Sequence, residues 1–151
     1  SAIQQHIDSV FEGFYGFIFA KTIKSALSSS KPDFGLVKKD LSEWWIVEVE
    51  LGKHSLEDHV LKQIDDFRHG KYPTLTFAQY FQKKIEERYS TRINIKRLEN
   101  MLTKHFPYIQ VIVDKQKEDW KKELSRRKVR LCQFENKKNG SIRLGYFSTS
   151  D

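Results

Sequence analysis

The chain has 151 residues, 38% hydrophobic and 31% charged, with 13% aromatic. That is one ordinary domain's length, and a chain of this size buries roughly two-thirds of its unfolded surface without staples. Intrinsic disorder is excluded by this composition, and a single cysteine, Cys132, excludes an internal disulfide and a cysteine-rich zinc module and points to a reducing, cytoplasmic setting. The longest apolar stretch, Phe14 to Ala20, falls far short of a membrane span and has no signal-peptide flanks. Opening at Ser1 rather than methionine, the chain reads as a piece of a longer protein, with further domains outside it.

The net charge of +7 is unevenly spread. Residues 1–66 hold seven Lys/Arg against eleven Asp/Glu, a net of −4, whereas residues 67–151 hold twenty against nine, a net of +11. A basic half suits a polyanion, because neutralised phosphates release counterions. A solvated, lysine-rich surface accounts for it equally well. Acids set beside a nucleic-acid surface imply a metal between carboxylate and phosphate.

In chain order, Ile7, Val10, Phe11, Phe14, Ile18 and Phe19 recur at helical intervals and predict a helix over 3–27, weakened by Gly13 and Gly16. After the break at 28–32 come two short strands, 34–38 and 44–51, joined by a polar turn over 39–43. In the second, Trp45, Val47, Val49 and Leu51 share one face, and Trp44, Ile46, Glu48 and Glu50 the other. Gly52 ends that strand and Ser55 is placed to cap a helix striped by Leu56, Val60, Ile64 and Phe67. Helices are expected over 75–85 and, capped by Asn94, over 95–105. A buried strand over 108–113, a polar helix over 118–128, and two strands over 129–134 and 142–147 close the chain. The fold class read from this order is α/β, a mixed sheet with helices on both sides.

Two adjacent acids inside a Trp/Ile/Val strand are unusual, because burying an unpaired carboxylate is costly. If the two strands pair as a hairpin, Asp33 arrives beside Glu48 and Glu50, and three hard oxygen ligands converge in the way Mg²⁺ requires. A half-exposed strand whose glutamates face water is the competing reading.

Pro32-Asp33, then fourteen residues, then Glu48-Val49-Glu50 resembles the PD-(D/E)XK nuclease superfamily, which spans restriction endonucleases, junction resolvases, RecB-like nucleases and anti-phage defence nucleases. The resemblance covers residues 7 to 134. It implies a restriction-endonuclease-like core and a Mg²⁺-dependent DNA endonuclease hydrolysing phosphodiester bonds, with Mn²⁺ able to substitute and a homodimer as the form that cuts both strands. By that likeness Asp33 and Glu48 are metal ligands, and Gln63 matches the glutamine of a Gln-x-x-x-Tyr motif whose tyrosine position is here Phe67. Glu12 is similar to an acid many members hold near the metal. The chain departs at the usual lysine, which is Glu50, a third metal ligand or general base on this reading. Lys53 supplies the positive charge from a shifted position, or is a plain surface lysine. A nuclease-like fold that only binds nucleic acid, its metal site degraded at Glu50, is the alternative function; a protein-interaction domain is a third. Of the five histidines, His54 and His59 flank the proposed site within reach of a phosphate, and Cys132 is read as structural.

Overall fold

A computed structural model describes residues 2–50, 56–115 and 117–146. Two four-residue helical turns, α1 (Ala2–Gln5) and α2 (Ile7–Val10), precede strand β1 (Phe14–Ile18). A two-rung ribbon, β2 (Ile23–Lys24) and β3 (Ser29–Ser30), leads into β4 (Phe34–Lys38) and β5 (Trp44–Glu50). A π-helical turn, Leu56–Val60, runs into α3 (Leu61–Arg68), followed by α4 (Thr74–Tyr89) and α5 (Ile95–Lys104). Strand β6 (Tyr108–Val113), helix α6 (Glu118–Arg126) and strands β7 (Arg130–Asn136) and β8 (Ile142–Tyr146) complete the described chain.

Six strands form one mixed sheet in the order β1-β4-β5-β6-β7-β8. The pairs β1/β4, β4/β5 and β7/β8 are antiparallel, and β5/β6 and β6/β7 are parallel. The parallel pairs are bridged by the helices, as a crossover requires. The mixed α/β class read from the sequence is the class observed.

One face of the sheet presents Phe17, Val37, Trp44, Ile46, Val111 and Leu131 to α3, α4, α5 and α6. The other presents Leu36, Trp45, Val47, Ile112 and Cys132 to Ile3, Ile7 and Phe11 of the N-terminal turns. No helix among the described residues is long and apolar enough to cross a membrane.

The helix expected over 3–27 is the one large correction. Gly13 sits at a φ of 85°, which turns the chain out of helix after α2. The β-favouring Phe14-Tyr15-Gly16-Phe17-Ile18 then runs as an edge strand whose alternate residues serve opposite layers. A Cβ on Gly16 would lie 2.9 Å from Ile7, so this glycine is what lets α2 close on the strand. The backbone edge of β1 is covered at Gly16, whose N donates to the Tyr89 hydroxyl at 2.7 Å, a hydroxyl that in turn donates to Asp8 Oδ1. That removes a template for strand addition.

The remaining boundaries shift by one to four residues. The helix expected over 75–85 extends to Thr74–Tyr89, and Asn94 caps α5 by accepting from Arg97 N at 3.1 Å. The cap expected at Ser55 lies outside the described residues, as do Leu51 and Gly52.

Candidate functional site

The last rung of the β4/β5 hairpin pairs Phe34 with Val47, so the next residues outward, Asp33 and Glu48, face each other directly. They are cross-linked reciprocally. Asp33 N donates to Glu48 Oε1 at 2.9 Å, and Val49 N donates to Asp33 Oδ2 at 2.8 Å. Because β5 alternates, Glu48 and Glu50 project on the face that carries Trp44 and Ile46, and both are only 2% exposed. Their cross-strand neighbours on β6 are Val111 and Val113. The half-exposed strand with glutamates facing water is therefore not what forms.

A carboxyl placed against valines in a low-dielectric pocket resists ionisation. Burial, reinforced by the negative charge of Asp33 and then of Glu50, pushes the Glu48 carboxyl up to about 9, although the Asp33 amide and Gln63 pull the other way. Desolvation also raises Asp33, against the Val49 amide and the charge of His59. Among the described residues no lysine or arginine makes an ion pair with either Asp33 or Glu48.

Helix α3 brings Gln63 to this pocket. Its side chain hydrogen-bonds Glu48, and its Oε1 is buried with no hydrogen-bond partner. The π-helical turn before α3 swings His59 over the acids, with Nε2 3.5 Å from Glu50 Oε1. Wide turns of this kind recur at functional sites, where one extra residue per turn re-aims a side chain. That Asp33 and Glu48 come together was readable from strand alternation and hairpin pairing, and Gln63 from the family resemblance; the direct contact of His59 with Glu50 was not, because a π turn leaves no periodic signature.

Glu12 does not join them. It lies exposed in the turn between α2 and β1, not in a helix. It lines a cleft with Leu36 and Trp45, which belong to the opposite face of the sheet. Lys53 and His54 lie outside the described residues. Cys132 is fully buried, and burial pushes its thiol up to about 12, as expected of an inert structural cysteine.

Among the described residues no three of His, Cys, Asp and Glu stand as a ready-made metal cage. Asp33 and Glu48 each have one oxygen engaged by a backbone amide. The donor set is nonetheless hard oxygen throughout: three carboxyl groups and the orphaned Gln63 Oε1. Those are the ligands a magnesium-sized ion takes, and a cation would supply counter-charge to the buried Glu48. The residues fit such an ion.

A second buried acid was not foreseen. Asp66 on α3, 2% exposed, accepts from Ser25 Oγ at 2.8 Å, Ser30 Oγ at 2.5 Å and Ser28 Oγ, and pairs with Lys62 Nζ at 3.1 Å. It fastens the β2/β3 ribbon to α3. Its partners lie some forty residues upstream, beyond the reach of local pattern.

Comparison of the chain with protein-family models, with curated proteins and with solved structures finds no match.

Proposed function

We propose that this chain is a Mg²⁺-dependent nuclease domain of the PD-(D/E)XK kind, hydrolysing phosphodiester bonds in DNA. The observation that carries the reading is the reciprocal pairing of Asp33 with the buried Glu48, which is hydrogen-bonded to Gln63, neither acid forming an ion pair with a lysine or arginine among the described residues. Supporting it, Asp33 immediately precedes β4, Glu48 and Glu50 lie on β5, and Gln63 lies on the helix that follows.

Asp33, Glu48 and Glu50, with Gln63 Oε1, are the groups that would hold the ion. When bound, Mg²⁺ supplies charge neutralisation for the phosphate and a more acidic water. The chain's own contributions are positional. The reciprocal Asp33–Glu48–Val49 bonds fix the orientation of two carboxyls on a strand paired from both sides. The valines beside them exclude bulk water, which strengthens every charge interaction in the pocket. Glu50, in place of a lysine, is an acceptor for a proton from water, and His59 lies against it within reach of a substrate phosphate. The +11 excess of residues 67–151 supplies the field that draws in a polyanion. Restriction or anti-phage defence is the setting the family suggests, and a homodimer is the form suited to cutting both strands.

The test compares wild type with Asp33→Ala and Glu48→Ala on plasmid DNA with Mg²⁺. Losing a ligand is expected to lower nicking by at least about a hundredfold, the upper range seen when even a residue behind the ligands is lost. Undiminished nicking by clean preparations of both variants ends the proposal.

One observation favours a second reading. Glu50 stands where the family carries lysine, and it contacts a histidine. A chain that binds nucleic acid without cutting it would show salt-sensitive DNA affinity unchanged by Mg²⁺ or Mn²⁺, and no cleavage on long incubation.

A further inference from the structure

On the sheet face opposite the acids, a cleft of about 250 Å³ opens between α2 and the starts of β5, β6 and β7. Its walls include Phe11, Glu12, Trp45, Gln110 and Arg130. Gln110 is the one polar side chain in the Tyr108–Val113 strand apart from the terminal tyrosine, and it is 2% exposed. Its Nε2 is buried without any hydrogen-bond partner. A buried donor left unpaired costs free energy, so native proteins keep few of them and such a group wants an acceptor.

The surroundings say what kind of acceptor. Arg130 lies over the Trp45 ring with its guanidinium carbon 4.4 Å from the centroid. Tyr108, 49% exposed and two residues from Gln110 on the same side of β6, packs against that indole at 4.9 Å. Stacked aromatic rings with an arginine are the groups that hold unpaired bases, each base–aromatic contact being worth about 1–3 kcal/mol. The volume suits one ring system, being below the usual range for drug-sized ligands. Of the two charged side chains in its wall, Arg130 is the one that can meet a phosphate attached to that ring, and Glu12 is of opposite sign.

We infer that this cleft captures a single unpaired nucleobase, with Gln110 Nε2 donating to a ring oxygen or nitrogen and Arg130 facing the attached phosphate. Donating into the hollow requires the buried Gln110 amide, which lines it, to turn toward the ligand. The inference takes from the preceding section only that nucleic acid is the partner. The site is separate from the acids, since Trp45, Val47 and Gln110 point to the side of the sheet away from Glu48 and Glu50.

The experiment titrates the four deoxynucleoside 5′-monophosphates into isotopically labelled protein and follows the Gln110 side-chain amide by NMR, with deoxyribose 5-phosphate as the base-free control. A saturable shift with at least one mononucleotide, absent with the sugar phosphate, is expected. Gln110→Met, which keeps the volume and removes the donor, weakens binding about tenfold, the effect of one hydrogen bond. Gln110→Glu, similar in size with the donor replaced by an acceptor, does the same if the methionine variant fails to fold. Glu48→Gln leaves nucleotide binding unchanged, so base capture and cleavage fail separately. No saturable shift with any mononucleotide, equal binding of the sugar phosphate, or undiminished binding by a folded Gln110 variant overturns the inference.

Discussion

Helix α3 touches two buried carboxyl groups, and they have opposite fates. Asp66 is met by three serine hydroxyls and Lys62. Burial alone would raise it, but Ser28, Ser30, Ser25 and Lys62 together hold it at about 2. Glu48, equally buried, has Val111 for a neighbour and two other acids nearby, and is held at about 9. The difference separates an acid that is a finished part of the scaffold from one left incomplete. A saturated carboxylate fastens the β2/β3 ribbon in place; a buried carboxyl that keeps its proton is, under the proposed function, the one a cation would complete.

The sharpest way to break the comparison is to empty the saturated member. Asp66→Ala removes the shared acceptor of three serine hydroxyls and of the half-exposed Lys62 ammonium and is expected to lower unfolding free energy by about 3 kcal/mol in a denaturant titration. A smaller effect comes from acid. Asp66 has a folded value of about 2 against an ordinary 3.8, so its stabilisation is complete above 3.8 and disappears as pH falls towards 2. About 2 kcal/mol should be lost across that window, measured against Asp66→Asn as the non-titrating control.

Glu48 runs the other way. Between about 4.5 and about 9 the folded protein retains a proton that the unfolded chain has released. Cation-free stability should therefore fall as pH rises through that window. Glu48→Gln is expected to flatten the fall, to raise the melting temperature at pH 8 in EDTA, and to abolish any stabilisation by added Mn²⁺ that wild type shows. A wild-type melting temperature independent of both pH and Mn²⁺ would contradict the assignment of Glu48 as an incomplete site. The smallest expected change lies outside both clusters: Tyr89→Phe removes the cover from the Gly16 edge and should cost about 1 kcal/mol in the same titration.

How far the sequence discloses this arrangement follows from the range over which each signal acts. Glu48 and Glu50 are visible because a strand alternates every two residues, and Asp33 because a five-residue connection forces a hairpin. Gln63 is picked out only by the resemblance, as the glutamine four residues before Phe67 on the following helix. The first element misleads because an edge strand covered by α4 on one side and by α2 on the other places aromatic residues on both faces, so Phe11, Phe14 and Ile18 imitate a helical period. Gly13 and Gly16, read as weaknesses in a helix, are the turn and the close approach that make the strand. Asp66 is hidden because its partners come from the ribbon some forty residues earlier, and Glu12 is misplaced along with the helix that was expected to carry it.

The mutual bonds between Asp33 and the Glu48–Val49 segment also bear on how the hairpin finds its alignment. Sliding β4 against β5 by a single position would turn every side chain to the wrong layer, and sliding by two would part the aspartate from both of its amide and carboxyl mates. The polar groups proposed to do chemistry thus double as a proofreading latch, so a variant that silences the reaction at Asp33 should also widen the population of misaligned strands during refolding.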